Sequence, residues 1–202
     1  VVTDLEAEKV LYATEGKDHE TILRFVQDFQ EHGGDVESLQ GASIDLSPAY
    51  QKGMSEHLPE VEVTFDHFHV IGLVNKAVDE VRRREAKDEA RLKHSRYCWL
   101  KNPTNLKSNQ KTMLANLSKL NLKTGRAYRI KLALQDVYRL KDHDKAEAGL
   151  KKWYFWATHS RLPEIIKVAK TIKAHWEGVL NYFKGRLTNG LVECFNGIIQ
   201  TI

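Results

Sequence analysis

The chain has 202 residues, 42% of them hydrophobic and 29% charged, with a formal net charge of +4. That balance describes a soluble globular protein and excludes disordered and fibrous classes; no apolar run approaches the roughly 20 residues that span a bilayer. Two cysteines, Cys98 and Cys194, are too few for a disulfide framework or a Cys-rich zinc site, so a reducing, cytoplasmic setting is the expectation.

The first third reads as α/β. Val1–Thr3 has the character of the end of a strand, Asp4-Leu5-Glu6-Ala7 of a turn, and Glu8–Glu15 of a second, alternating strand. The opening VVTDLEAEKV is acidic, unlike a signal peptide. A chain that starts inside a strand predicts that something upstream has been removed. Asp18 opens a helix with Ile22, Leu23, Phe25, Val26 and Phe29 at helical spacing, and Gly33-Gly34 ends it. Gly41–Asp45 is a short strand, Ser47-Pro48 starts a helix to about His57, and Val61–Phe65 alternates as another strand.

After Asp66 the period becomes helical and stays so. Val70, Leu73, Val74, Ala77, Val78 and Val81 mark a long amphipathic helix, and Asn102-Pro103-Thr104-Asn105 is a break. Further helices are expected over 108–119, 123–140, 144–158, 163–184 and 190–202. The cluster Trp153-Tyr154-Phe155-Trp156 wraps most of one turn, which predicts core with at least one ring exposed or meeting another element. Acids crowd residues 1–66, whereas the stretch from Arg82 to Lys131 is rich in Lys and Arg. From charge alone that contrast reads first as a solvated helix surface, and it also suits a metal site beside a phosphate track.

Three places could carry chemistry. Asp45 ends a strand, where α/β folds expose functional groups; it is either a hard oxygen ligand for magnesium or a turn former for the Ser47 helix. Asp66 and His69 share a helix face; they either bind metal or clamp the helix start with Asp66 as N-cap. Asn189 is a candidate N-cap for a last helix that carries Glu193 and Asn196, and the helix dipole alone would favour a Glu there. No phosphate-binding glycine loop, G-x-S-x-G elbow or His-Glu-x-x-His motif is present.

In this order the segments ASIDLSPAY, VTFDHFHVIGLVNKAVDEVRR, SRYCWLKNP, Trp153–Ser160 and LTNGLVECFN resemble the DDE transposases of the ISL-three insertion-sequence family. The most specific pieces are Asp66–His69 and Asn189–Asn196. The resemblance implies an α/β, ribonuclease-H-like mixed sheet, its first strand missing here, with a large all-helical insertion. It divides the chain into a core over 1–69, the insertion over 70–185, and a returning helix over 186–202. Asp45 matches the second catalytic Asp and Glu193 the catalytic Glu, and both would hold metal. Asp66, His69, Asn189 and Asn196 match supporting positions.

The implied activity is phosphodiester hydrolysis and strand transfer at insertion-sequence ends, with two Mg2+ or Mn2+ ions, the two-metal site being expected only where the missing first Asp is present. The implied partner is DNA, both transposon ends and target, tracked by Arg82, Arg83, Arg84, Arg96 and Lys101. Two departures stand out. Asp4 falls in the hairpin turn and does not match the first catalytic Asp, which predicts that this chain alone is inactive. Cys194 stands where the family commonly has Gly. The rival readings are another ribonuclease-H-like nuclease, a non-catalytic DNA-binding or oligomerisation module, and a helical interaction protein. A sheet edge left open by a missing strand invites pairing with a second copy, which keeps a homodimer open.

Overall fold

The structure, a computed structural model, describes residues 1–187; the expected helix over 190–202, with Asn189, Glu193 and Asn196, lies outside them. The architecture is mixed α/β, mostly helical with small sheets. The chain divides into two compact units. One holds Val1–His69 and the described residues from Glu177 onward; the other is Val70–Trp176.

In the first unit, β1 (Val2–Asp4) and β2 (Lys9–Tyr12) pair antiparallel. The turn between them forms because the Asp4 carboxylate accepts the N–H groups of Glu6 and Ala7, both at 2.9 Å. Helix α1 (Glu20–Glu31) begins where Asp18 accepts the Thr21 N–H at 2.9 Å and ends before Gly33, whose φ of 81° suits only glycine well. Its buried Phe25 lies 6.0 Å from the Tyr12 ring of β2.

Strand β3 (Gly41–Ile44), helix α2 (Pro48–His57) and strand β4 (Glu62–Phe65) form a β–α–β unit. The two strands are parallel, Gly41 opposite Glu62 through Ile44 opposite Phe65. Helix α9 (Trp176–Gly185) covers β4: a Cβ added at Gly178 would meet the Phe65 ring at 2.5 Å. The Asn181 amide donates to the Val63 carbonyl at 2.9 Å, and Lys184 pairs with Glu62 at 2.5 Å.

The second unit is helical. Helix α3 (His67–Glu85) enters it at Val70 and buries Val70, Val74, Ala77, Val78 and Val81 along one stripe. Helices α4 (Arg96–Leu100), α5 (Ser108–Ser118), α6 (Lys123–Arg139), α7 (His143–Thr158) and α8 (Pro163–Ala174) follow. Helix α4 escapes a periodicity argument because it spans little more than one turn. It is held by Trp99, 1% exposed, whose indole N–H donates to the Ser95 hydroxyl at 3.0 Å. Glu85 caps α6: its carboxylate accepts the N–H groups of Lys123 and Thr124 at 2.8 and 2.7 Å, and the Thr124 hydroxyl at 2.7 Å.

One expectation needs correction. The single helix expected over 163–184 is two helices, because His175 leaves the helical region with φ −115° and ψ 31°. The apolar stripe runs on across the break, but Ile165, Ala169 and Ile172 belong to the second unit, while Val179, Leu180 and Phe183 belong to the first. The aromatic run meets its expectation, with two of its rings exposed. Trp153 is buried and donates to the Ile130 carbonyl at 2.9 Å, and Tyr154 meets Trp176 edge-on, whereas Phe155 and Trp156 stand in solvent.

Candidate functional site

A parallel strand pair presents its carboxyl ends together, and here each end is followed by an aspartate. Asp45 follows Ile44, Asp66 follows Phe65, and Ile44 and Phe65 are opposite each other. The Asp66 N–H donates to the Ile44 carbonyl at 3.0 Å, so the ladder continues to the edge of both carboxylates.

The two acids differ in what surrounds them. Asp66 is fully buried. Its Oδ2 lies 2.9 Å from His69 Nδ1, its Oδ1 accepts the Phe68 N–H at 3.4 Å, and His67 Nδ1 stands 3.6 Å away. Burial raises its pKa, but the bonds from His67, His69 and Phe68 outweigh it, and the net shift is downward from 3.8. Asp66 thus stays ionised as the N-terminal clamp of α3. The His67 ring, in turn, packs 4.8 Å from that of Tyr182 on α9.

Asp45 is half-buried and less engaged. Its Oδ1 accepts the Ser47 N–H at 2.8 Å, and no hydrogen bond to Oδ2 is present among the described residues. Tyr50, the third residue of α2, has its hydroxyl pKa raised by burial and then by the charges of Asp45 and Asp18. Among the described residues no three His, Cys, Asp or Glu side chains converge as a metal cluster. Glu193, Asn189 and Asn196 lie outside those residues.

The basic side chains singled out from the sequence fall into different settings within the second unit. Arg84 is tied to Glu164 at 2.9 Å. Arg82 Nε donates to Asp79 Oδ1 at 2.8 Å, and a terminal nitrogen of the same guanidinium lies 2.8 Å from that oxygen. Arg83 and Arg96 each reach Asp79 Oδ2 at 3.5 Å. Lys101 lies 5.8 Å from the centre of the exposed Tyr97 ring, with Arg96 at 5.6 Å. Asp79, the shared partner, is not among the candidates that the sequence suggests. Its signal is there all the same, because Arg82 and Arg83 stand three and four residues after it.

Comparison with known proteins defines the class: transposases. The whole chain, residues 1–202, matches the sequence model of the ISL-three group of DDE transposases, described as "Transposase", and the chain belongs to that family. The transposase for insertion sequence element IS1557 of Mycobacterium tuberculosis is 26% identical over 231 residues, covering 100% of this chain and 51% of its own length. The transposase for insertion sequence element IS1001 of Bordetella parapertussis is 26% identical over 210 residues, again with 100% and 51% coverage. The chain therefore spans about half the length of the curated relatives it matches. No solved structure matches it. No helix among the described residues is long and apolar enough to cross a membrane.

Proposed function

We propose that the chain carries part of the catalytic core of an insertion-sequence transposase, which hydrolyses phosphodiester bonds at element ends and transfers the freed strand into target DNA. The observation that carries this reading is Asp45 at the carboxyl end of a parallel strand, with one oxygen uncommitted, in a chain of this family. The pairs β1–β2 and β3–β4 form two separate two-stranded sheets, antiparallel and then parallel, the strand directions that a ribonuclease-H-like mixed sheet would join. In that frame the helical unit Val70–Trp176 is the insertion that precedes the catalytic glutamate.

Asp45 and Glu193 would hold magnesium or manganese. When bound, the metal supplies charge neutralisation at the phosphate and an activated water or 3′-hydroxyl. Asp45 fits that duty: a hard cation takes oxygen donors, and Oδ2 is available for one. Asp66 fits it poorly, since its charge is already met by His69, His67 and a backbone N–H. Asp66 and His69 instead hold the start of α3, at the same strand end as Asp45. Asn189 and Asn196 flank Glu193 in the sequence and are assigned a supporting role.

Mn2+ binding to the chain, followed by electron paramagnetic resonance, tests the assignment. Asp45→Asn and Glu193→Gln are each expected to weaken binding by about 10-fold or more, since even outer partners of a metal contribute that much. In a longer transposase that contains this chain and supplies the first aspartate, nicking of DNA that bears insertion-sequence ends should fall in step. Unchanged Mn2+ affinity in both variants would overturn the assignment.

A further inference from the structure

On α3, the face opposite the buried valines carries Gly72, Asn75, Lys76, Asp79, Arg82 and Arg83, at spacings of three and four residues. Arg96 of α4 joins them, and together they line an open groove of about 510 Å³ within the second unit. Lys76, Arg82, Arg83 and Arg96 set four cations against the single carboxylate of Asp79. The distances to that carboxylate show how it is shared. Arg82 holds it at 2.8 Å, while Arg83 and Arg96 approach only to 3.5 Å and keep side chains 62% and 54% exposed. Lys76 forms no ion pair with any described residue. Crowding guanidinium groups this way costs electrostatic energy that one aspartate offsets only in part, and an anion in the groove would relieve the rest.

Two features favour an extended anion over a small one. The groove floor is bare at Gly72, where nothing lies within 4 Å of an added Cβ. A helix-interior glycine is less stable than alanine, and no packing demand explains it here. At the rim, Tyr97 is 54% exposed, with Arg96 and Lys101 flanking its ring. Several cations beside an exposed ring suit a sugar–phosphate strand.

We propose that this groove binds the DNA backbone: Lys76, Arg83 and Arg96 meet successive phosphates, and Asp79 with Arg82 forms the part-buried bracket that aims the other two guanidinium groups. Arg84, tied to Glu164, is outside this set. The proposal rests on the transposase reading for its choice of DNA.

Fluorescence anisotropy with a labelled duplex, over a series of salt concentrations, tests it. Arg83→Gln with Arg96→Gln removes two exposed cations and should reduce the slope of log affinity against log salt by about 1.8, at about 0.9 for each phosphate that is no longer neutralised. Gly72→Glu adds a negative charge where space is open, so it should fold at least as well and bind DNA more weakly. Arg139→Gln, at an exposed arginine paired with Asp136 and outside the groove, should leave the slope unchanged. If the unsubstituted chain binds and the groove variants keep its affinity and slope, the groove assignment falls while the transposase reading stands. If the unsubstituted chain binds no duplex even at low salt, the groove assignment falls together with the expectation of DNA as this chain's partner.

Discussion

Asp45 and Asp66 leave the same end of one parallel strand pair, each one residue beyond the Ile44–Phe65 register, yet only Asp66 is fully buried. The difference follows from the next element. After Asp66 the chain enters α3 at once, so its carboxylate is enclosed by the helix start it clamps, with His69 one turn on. After Asp45 two residues intervene before α2, and the carboxylate turns back only as far as the Ser47 N–H. Adjacent strand ends thus yield one structural acid and one with an oxygen to offer.

The Asp66–His69 pair makes stability depend on pH at the acid end. The folded-state pKa of Asp66 lies below its unfolded value of 3.8. The sign follows: the contribution is fully present above 3.8 and is lost as pH falls through the folded value. His69→Ala removes one partner of a buried carboxylate and should cost roughly 1–3 kcal/mol at neutral pH. Urea denaturation at neutral pH and at pH values below about 4 checks both statements; a His69→Ala variant as stable as the parent at neutral pH would count against the clamp.

Lys131 is fully buried, and its ammonium donates to the carbonyls of Trp99, Leu100 and Lys101 at 2.9, 2.8 and 3.4 Å. These are carbonyls at the end of α4 that the helix itself leaves without partners. Lys131→Met should therefore destabilise the protein by roughly 2–3 kcal/mol despite its apolar fit. Burial pushes the Lys131 pKa from 10.5 down to about 8. Between those values the unfolded chain binds more protons, so this group's contribution rises with pH from about 8 toward 10.5 and is lost as pH falls through 8. Thermal melts across that range, compared with Lys131→Met, should show the rise only in the parent.

Glu85 joins the end of α3 to the start of α6 through three hydrogen bonds. Glu85→Ala leaves the first N–H groups of α6 without that acceptor, at a cost of roughly 1–3 kcal/mol. Glu85→Gln keeps an acceptor oxygen and should recover part of it. Equal stability of the two variants in urea would remove the capping role.

Two helix glycines should respond in opposite directions to the same change. In Gly178→Ala the new methyl meets the Phe65 ring at 2.5 Å and the Val63 carbonyl at 3.2 Å. Overpacking of that kind typically costs about 1–3 kcal/mol. In Gly72→Ala nothing lies within 4 Å, so helix propensity alone operates, a gain of about 0.5–1 kcal/mol. Melting temperatures of the two variants should move apart on either side of the parent.

Much of the local structure is legible in the residues. Alternation marks β2 and β4, Ser47-Pro48 starts α2, and the valine stripe traces α3 close to its full length, because period and end signals are properties of a few neighbouring residues. Asp45 at a strand end is legible for the same reason, and so is the Asp66–His69 spacing. What only the tertiary structure decided were matters of distance between segments. It set Asp66 beside the end of β3, placed Arg96 on the carboxylate of Asp79, and drew the buried Lys131 onto the end of α4. It also split the stripe beyond Pro163 at His175, since helical spacing reports that a face is apolar but not which core it joins. Periodicity is a local quantity, whereas the partner of a charge depends on how distant segments pack, and that packing decides which acids and bases remain free for chemistry.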